Sequence, residues 1–173
     1  MDPNPTPERC IELLQENGCS DEVIKHCMAV RDVALKIAKK ADADLKLVEA
    51  GALLHDIGRS KTHGILHAVE GVKIARKIGL PLNILYIIER HLGAGIPKEE
   101  AVKLGLAEKD YIPETLEEKI VTHADNLIQD GKRQRIEDEI KQAKEKGLEQ
   151  VAQRIYNLHK ELSDICGMDL NDI

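Results

Sequence analysis

The chain has 173 residues, a length that suits one domain with a substantial apolar core and argues against a second domain. Charged residues make up 32% and hydrophobic residues 42% of it, an ordinary globular composition, and no apolar run approaches the ~18 residues that cross a bilayer. A net charge of -6 argues against a protein that coats nucleic acid, although a small phosphate ester could still bind at a metal.

The N-terminal residues and the cysteines bear on where the protein works. Residues 1–7 are polar and acidic, unlike a signal peptide, so we expect a cytoplasmic location. The cysteines have no C-x-x-C spacing, and we interpret them as reduced, mostly buried thiols. The chain lacks Phe and Trp, which disfavours stacking of several nucleobases. The four cysteines are Cys10, Cys19, Cys27 and Cys166.

The first half of the chain predicts three amphipathic helices. A short first helix lies between an N-cap at Thr6 and a stop at Gly18. Ser20 caps a second, whose apolar residues recur at steps of three and four, and His26 borders that apolar stripe. Asp44 can cap a third helix, whose end, Ala-Gly-Ala-Leu-Leu-His-Asp-Ile-Gly, is apolar nearly all round and therefore buried.

The second half predicts more helices and, because no useful alternating pattern occurs, no strand. A capping box at Thr115 and Glu118 opens a helix whose apolar stripe continues to Ile128. The last helix has heptad-like apolar steps that favour packing on the core; a partner subunit, and hence a homodimer, is the alternative. The other expected helices cover about 65–77, 81–91, 97–104, 133–146 and 148–166.

These patterns together predict an all-α fold. We expect a single domain over residues 1–173, in which the chemistry-bearing motifs occupy about 20–130 and residues 131–173 form a C-terminal helical extension. The order of elements favours a helical bundle of irregular connectivity.

His55 and Asp56 carry the clearest chemical signal. A buried carboxylate is costly unless it is paired or bound to a metal. Imidazole nitrogen and carboxylate oxygen are both good ligands for divalent metals. Adjacent helical residues point about 100° apart, so both reach one ion most easily at a helix end, which Gly58 permits. Taken alone, the pair also fits a hydrogen-bonded core pair.

Three segments together resemble the HD superfamily. His26, then His55-Asp56-Ile57-Gly58, then Asp125 match the order, spacing and helical context of its H…HD…D signature in the HDIG form. The resemblance covers roughly residues 26–128. It implies an HD-domain helical bundle that binds divalent metal and hydrolyses phosphate esters, often of nucleotides. It also implies four metal ligands: His26, His55, Asp56 and Asp125.

The resemblance extends to members that bind two metals. His67 and His91 resemble the two added histidines of such proteins, in which the HD aspartate bridges the ions. Some of these members have a further histidine where this chain has Leu92, so a single ion is the alternative. His67 and His91 would then support the ligands, contact the substrate or belong to the core. The expected cofactor is one or two divalent ions, drawn from Mn, Fe, Ni, Co, Zn or Mg.

A basic loop follows the His-Asp pair. Arg59 could bind phosphate in a bidentate manner, Lys61 could add positive charge, and His63 could protonate a leaving group. All three also fit a solvated loop. With Asp56, which would act through the metal, they are the candidate catalytic residues.

Three other polar residues allow ordinary structural roles. Arg90 fits a phosphate contact or an ion pair equally well. His123 suits a core or surface position, and we expect His159, in the last helix, to be a surface residue.

The residues and the resemblance predict a phosphohydrolase or phosphodiesterase that uses metal-activated water. Its partner would be a small phosphorylated substrate, such as a nucleotide, and we expect neither a membrane nor a nucleic-acid coat. The histidine pattern resembles HD hydrolases of dinucleoside polyphosphates more than single-metal nucleotidases. The alternatives are a non-catalytic, metal-binding regulatory domain and a di-iron oxygenase. The chain also resembles small archaeal HD proteins.

Overall fold

The computed structural model describes residues 2–173, and over this range the all-α prediction is confirmed. A short antiparallel hairpin, β1 (Ile128–Gln129) and β2 (Lys132–Arg133), separates the seventh and eighth helices. No helix in the described range is both long and apolar enough to span a membrane. The helices are α1 (Pro7–Glu16), α2 (Asp21–Ala41), α3 (Leu45–Leu54), α4 (His67–Ile78), α5 (Leu82–Glu89), α6 (Lys98–Lys103), α7 (Leu116–Asn126), α8 (Ile136–Glu145) and α9 (Glu149–Cys166).

The helix starts follow the predicted capping residues. The side chains of Thr6, Ser20 and Asp44 each accept a hydrogen bond from the backbone N–H three residues further on, which opens α1, α2 and α3. Thr115 and Glu118 form the predicted capping box of α7. These caps satisfy N–H groups that a helix start would otherwise leave without a partner.

One apolar core joins most of the helices. Val30, Ala34 and Ile37 of α2 are fully or nearly fully buried within it. Ile155 and Leu162 of α9 belong to the same cluster, which confirms that the apolar stripe of the last helix covers the core. The C-terminal helix is therefore packed on the elements that carry the sequence motifs.

Two of the helix boundaries that differ from those predicted lie beside the sequence motifs. The helix α4 begins at His67 because the preceding residues form turns that end in Leu66. The helix α7 ends at Asn126, and the chain then turns through Asp130 (φ 52) and Gly131 (φ 75). Two positive φ angles in an Asp-Gly pair are typical of a tight hairpin. The sequence pattern missed this hairpin because Ile128 stays buried and so continues the helical stripe.

The glycine of the His-Asp-Ile-Gly segment brings two elements into contact. A 3₁₀ turn, Ile57–Ser60, follows α3 and lies directly against the start of α4. A Cβ on Gly58 would lie 1.7 Å from the carbonyl oxygen of His67 and 2.6 Å from the backbone nitrogen of Gly71. Only glycine allows this approach, which places Asp56 beside the first residue of α4.

Candidate metal centre

Six predicted side chains converge at one place in the bundle. They come from α2, the end of α3, the start of α4, the residue pair after α5, and α7. Four of the six are almost completely buried, and the other two keep about a fifth to a quarter of their side-chain surface exposed (20% and 24%). The residues are His26, His55, Asp56, His67, His91 and Asp125.

The two oxygens of Asp56 face two different groups of imidazoles. Asp56 Oδ2 lies 3.4 Å from Nε2 of His26 and 3.4 Å from Nε2 of His55. Asp56 Oδ1 lies 3.3 Å from Nε2 of His67 and 3.1 Å from Nε2 of His91. The carboxylate therefore lies between two groups of imidazoles.

Asp125 completes the first group. Its Oδ1 lies 2.9 Å from His26 Nε2 and 3.6 Å from His55 Nε2. Two sets of three residues have donor atoms within 4.8 Å of one another: His26 with His55 and Asp125, and His55 with Asp56 and His91. These are distances over which nitrogen and oxygen donors can share a divalent ion.

The backbone fixes which nitrogen of each central histidine faces the cluster. In three rings Nδ1 contacts a carbonyl oxygen three residues earlier, at 2.6 to 2.8 Å. A carbonyl only accepts hydrogen bonds, so Nδ1 carries a hydrogen, and each ring that holds no second proton presents the lone pair of Nε2 to the cluster. The pairs are His55 with Ala52, His67 with Gly64, and His91 with Ile88.

This arrangement fits a bound cation. Nε2 of His67 and Nε2 of His91 are only 3.0 Å apart, so two neutral rings would direct lone pairs at each other. Within the described residues, both oxygens of Asp56 and Nε2 of His55 are buried without a hydrogen bond, although Asp56 Oδ2 forms an ion pair with Arg59. Buried polar atoms are costly unless something satisfies them, and a divalent ion satisfies all of these together.

Electrostatics keep both carboxylates ionised. Burial raises the pKa of Asp56, but His55 and His67 lower it by more, so the pKa lies well below its usual range. Burial also raises the pKa of Asp125, but opposing contributions, of which the hydrogen bond with His26 is the largest, leave the pKa below its usual range. Both side chains are therefore negatively charged at neutral pH, as metal ligands must be.

His55 and His91 differ in the direction of their pKa shifts. Burial lowers the pKa of His91, so this ring is neutral at neutral pH. Burial also lowers the pKa of His55, but the Asp56 carboxylate raises it by more, and the net pKa lies well above its usual value. In the absence of metal, a second proton on His55 offsets the negative charge of the carboxylates. Metal binding would release that proton.

A cavity of about 500 Å³ adjoins the first group and gives room for water and a phosphate. Arg59 reaches it from the cluster, since its Nε lies 3.0 Å from Asp56 Oδ2 while the side chain is 37% exposed. His63 also lines this cavity, whereas Lys61 is exposed and lies outside the lining set. The lining residues are Ser20, Glu22, Val23, His26, Arg59, His63, Gln129 and Asp130.

Two residues outside the cluster have structural partners. The prediction that His159 is a surface residue is wrong, because α9 packs on α7 and places His159 Nδ1 2.8 Å from Nε2 of the buried His123. His159 Nε2 then donates to Asp169 at 2.8 Å. Arg90 forms an ion pair with the buried Glu118 at 2.7 Å, which favours the structural of its two interpretations.

The fold and this cluster agree with the comparison to known families. A family model for the HD domain matches residues 23–130, and the chain therefore belongs to the HD domain family. It has the fold of HD-domain phosphohydrolases, with a cluster of histidine and aspartate side chains that can hold metal.

Two archaeal proteins are similar over much of the chain. One is the tRNA (cytidine(56)-2'-O)-methyltransferase of Thermoplasma volcanium, with 49% identity over 169 residues, covering 98% of this chain and 50% of that protein. The other is an uncharacterised protein of Methanocaldococcus jannaschii, with 52% identity over 139 residues, covering 78% of this chain and 82% of that protein. The chain thus spans about half the length of the Thermoplasma relative.

A solved structure shares the fold. The HD domain of the L. monocytogenes phosphodiesterase PgpH, in complex with cyclic-di-AMP, aligns with a TM-score of 0.57. The alignment covers 91% of this chain and 96% of that domain, with 20% sequence identity. At this identity the likeness establishes a common fold.

Proposed function

We propose that this protein is a metal-dependent phosphodiesterase that hydrolyses a small nucleotide by attack of water. The observation that carries the proposal is the position of Asp56, whose two oxygens each face two imidazole nitrogens. These residues would hold one or two divalent ions next to a cavity with room for a phosphate, and the ions would supply activated water.

The six clustered side chains would divide between two ions. His26, His55 and Asp125 would hold the first, together with Asp56. The second set consists of His67, His91 and Asp56 Oδ1, because Leu92 offers no further donor. When bound, such ions lower the pKa of coordinated water and offset the charge of the phosphoryl group. The smaller donor set predicts weaker binding of the second ion.

The basic loop would orient the substrate and assist departure of the leaving group. Arg59 lies between Asp56 and the cavity, where its guanidinium can donate to the non-bridging phosphate oxygens. As water attacks phosphorus and the bond to the leaving oxygen breaks, His63 gives a proton to that oxygen. Lys61 adds positive charge near the entrance without reaching the cavity wall.

The fold relative supports a nucleotide diester as the substrate class. The PgpH domain is a phosphodiesterase domain solved with cyclic-di-AMP, which makes that compound the first substrate to test. The net charge of -6 disfavours a long polyanion such as a nucleic acid, so we expect a small substrate. A cyclic dinucleotide is small enough to meet this expectation.

The Thermoplasma relative favours a second candidate, a phosphodiester in tRNA. Its name refers to tRNA methylation, and nearly the whole of the present chain matches half of its length. An acidic chain lacks the general attraction for an RNA backbone that a basic face provides, so we place RNA second.

The test combines metal analysis with hydrolysis. The purified full chain would be analysed for metal per chain and assayed on bis(p-nitrophenyl) phosphate, cyclic-di-AMP and tRNA with Mn, Co, Ni, Fe or Mg. We expect metal-dependent hydrolysis of diesters, and loss of both metal and activity in Asp56→Ala. Asp32→Ala, which removes an exposed carboxylate of α2, is the matched control. In Arg59→Ala we expect KM to rise while metal content stays the same.

Each rival function has its own result in this assay. Full hydrolysis by Asp56→Ala would contradict the assignment of the site. Bound metal without hydrolysis of any ester would indicate a regulatory domain. Substrate oxidation that requires iron and consumes oxygen would indicate an oxygenase.

A further inference from the structure

A second cavity, of about 680 Å³, lies between α6, the start of α9 and the turns beside His67 and His91. Its volume falls within the ~300–1,000 Å³ of typical small-molecule sites. Its walls are mainly aliphatic side chains and glycine backbone. The lining residues are Ile65, Leu92, Gly93, Gly95, Ile96, Glu100, Lys103, Leu104, Gly147, Leu148, Glu149, Gln150, Val151 and Arg154.

This cavity is tied along the chain to the second pair of candidate ligands. Leu92 directly follows His91, and Ile65 stands two residues before His67. The short loop 62–66 connects the two cavities, since His63 lines the one with Arg59 and Ile65 lines the apolar one. The walls of the apolar cavity therefore include chain neighbours of both histidines of the second group.

The walls suit a flat apolar ring with a polar edge. Ile65, Leu104 and Leu148 keep 38%, 47% and 46% of their surface exposed, so an occupant would remove apolar area from water. At one wall Arg154 makes two hydrogen bonds to Glu100, at 2.9 and 2.7 Å, and so ties α9 to α6. The pair holds the cavity walls together, and other polar side chains in the lining can pair with the edge of a ring.

We propose that this cavity binds a nucleobase of the substrate whose phosphate lies at the metal centre. The inference rests on the proposed function for the position of the phosphate. A nucleobase is the apolar, planar part of a nucleotide, while the cavity beside Arg59 is lined mostly by polar and charged side chains. Because the chain has no Phe or Trp, the base packs between aliphatic side chains such as Leu104 and Leu148.

The test uses a probe that carries a base and no phosphate. Fluorescence of 2-aminopurine riboside would be titrated with the 173-residue chain, which has no Trp to interfere. Leu104→Asp and Leu148→Asp place a charge in the cavity at positions exposed enough to spare the fold. Val102→Asp is the matched control, because Val102 is 52% exposed on the same helix as the cavity wall and lies outside the lining.

We expect the riboside to bind the wild type and the control alike, and each cavity variant about tenfold more weakly. With cyclic-di-AMP, the cavity variants should raise KM and leave kcat nearly unchanged. Failure of the riboside to bind the wild type, or equal affinity in all four proteins, would overturn the proposal. Riboside binding needs no turnover, so a chain that binds the probe but hydrolyses nothing would refute the proposed function and leave the base site standing.

Discussion

Asp56 is the residue on which the two halves of the cluster depend, because each of its oxygens faces a different pair of imidazoles. His26 belongs to one half of the cluster and His91 to the other. We therefore expect His91→Ala to release one equivalent of metal and His26→Ala to release the other, while Asp56→Ala releases both. Elemental analysis after dialysis against a metal-free buffer checks this. Loss of both ions from His91→Ala would show that the cluster binds metal as a single unit.

The cysteines allow a second test of single residues, and this test does not involve the metal. Burial raises the pKa of Cys10 to about 12 and that of Cys19 to about 11. A raised thiol pKa leaves only about one thiolate in a thousand, or fewer, at pH 8, and the thiolate is the reactive form. We expect iodoacetamide at pH 8 to label both residues slowly in the folded protein and rapidly in urea, as measured by mass spectrometry. Equal rates in both states would contradict this burial.

At the scale of elements, the contact between the 3₁₀ turn and α4 holds Asp56 against His67. A Cβ on Gly58 would meet the backbone of α4, which cannot move as a side chain can. We expect Gly58→Ala to lower the free energy of unfolding by about 1–3 kcal/mol or more, as overpacking does, and to weaken metal binding. Denaturant unfolding and metal titration measure the two effects.

Gly64→Ala is the control for that substitution. Gly64 belongs to the following turn, and a Cβ there would lie no closer than 3.6 Å to Thr62 Oγ1. Its carbonyl, which accepts the hydrogen bond from His67, is unchanged by the substitution. A loss of stability in Gly64→Ala as large as that in Gly58→Ala would show that the loop, and not the close contact, is responsible.

The elements also show what the sequence could and could not predict. Helix starts were predictable because capping is a local effect, as at Ser20 and Thr115. The hairpin after α7 was missed, since burial of Ile128 looks the same in a helix and in a strand. His159 was placed wrongly because its burial depends on how α9 packs against α7, which no local pattern encodes.

The site shows the same limit. The resemblance to the HD signature identified the six clustered side chains, and their individual roles stay predictions. No pattern in the chain indicates the carbonyl contacts that orient the rings, such as the one from Ala52 to His55. The cavity bounded by Leu104 and Leu148 brings together segments more than forty residues apart, so only the assembled fold reveals it.

For the whole molecule, the cluster joins α2, α3, α4, α5 and α7, so a bound metal would link most of the bundle. Without metal, Asp56 and His55 keep buried polar atoms that lack hydrogen-bond partners in the described chain. A ligand that binds only the folded state stabilises it by about 2.7 kcal/mol at a concentration one hundred times Kd. For a chain of this size, that corresponds to a rise in Tm of roughly 5–10 °C.

We therefore expect chelation to lower the Tm of the wild type by this amount, and readdition of Mn or another divalent ion to restore it. Differential scanning calorimetry at fixed protein concentration measures the change. Asp56→Ala should show no dependence of Tm on metal, whereas Asp32→Ala should respond like the wild type. If added metal raised the Tm of Asp56→Ala as much as that of the wild type, the stabilising ion would lie elsewhere on the protein. The cluster would then not be the source of the metal-dependent stability.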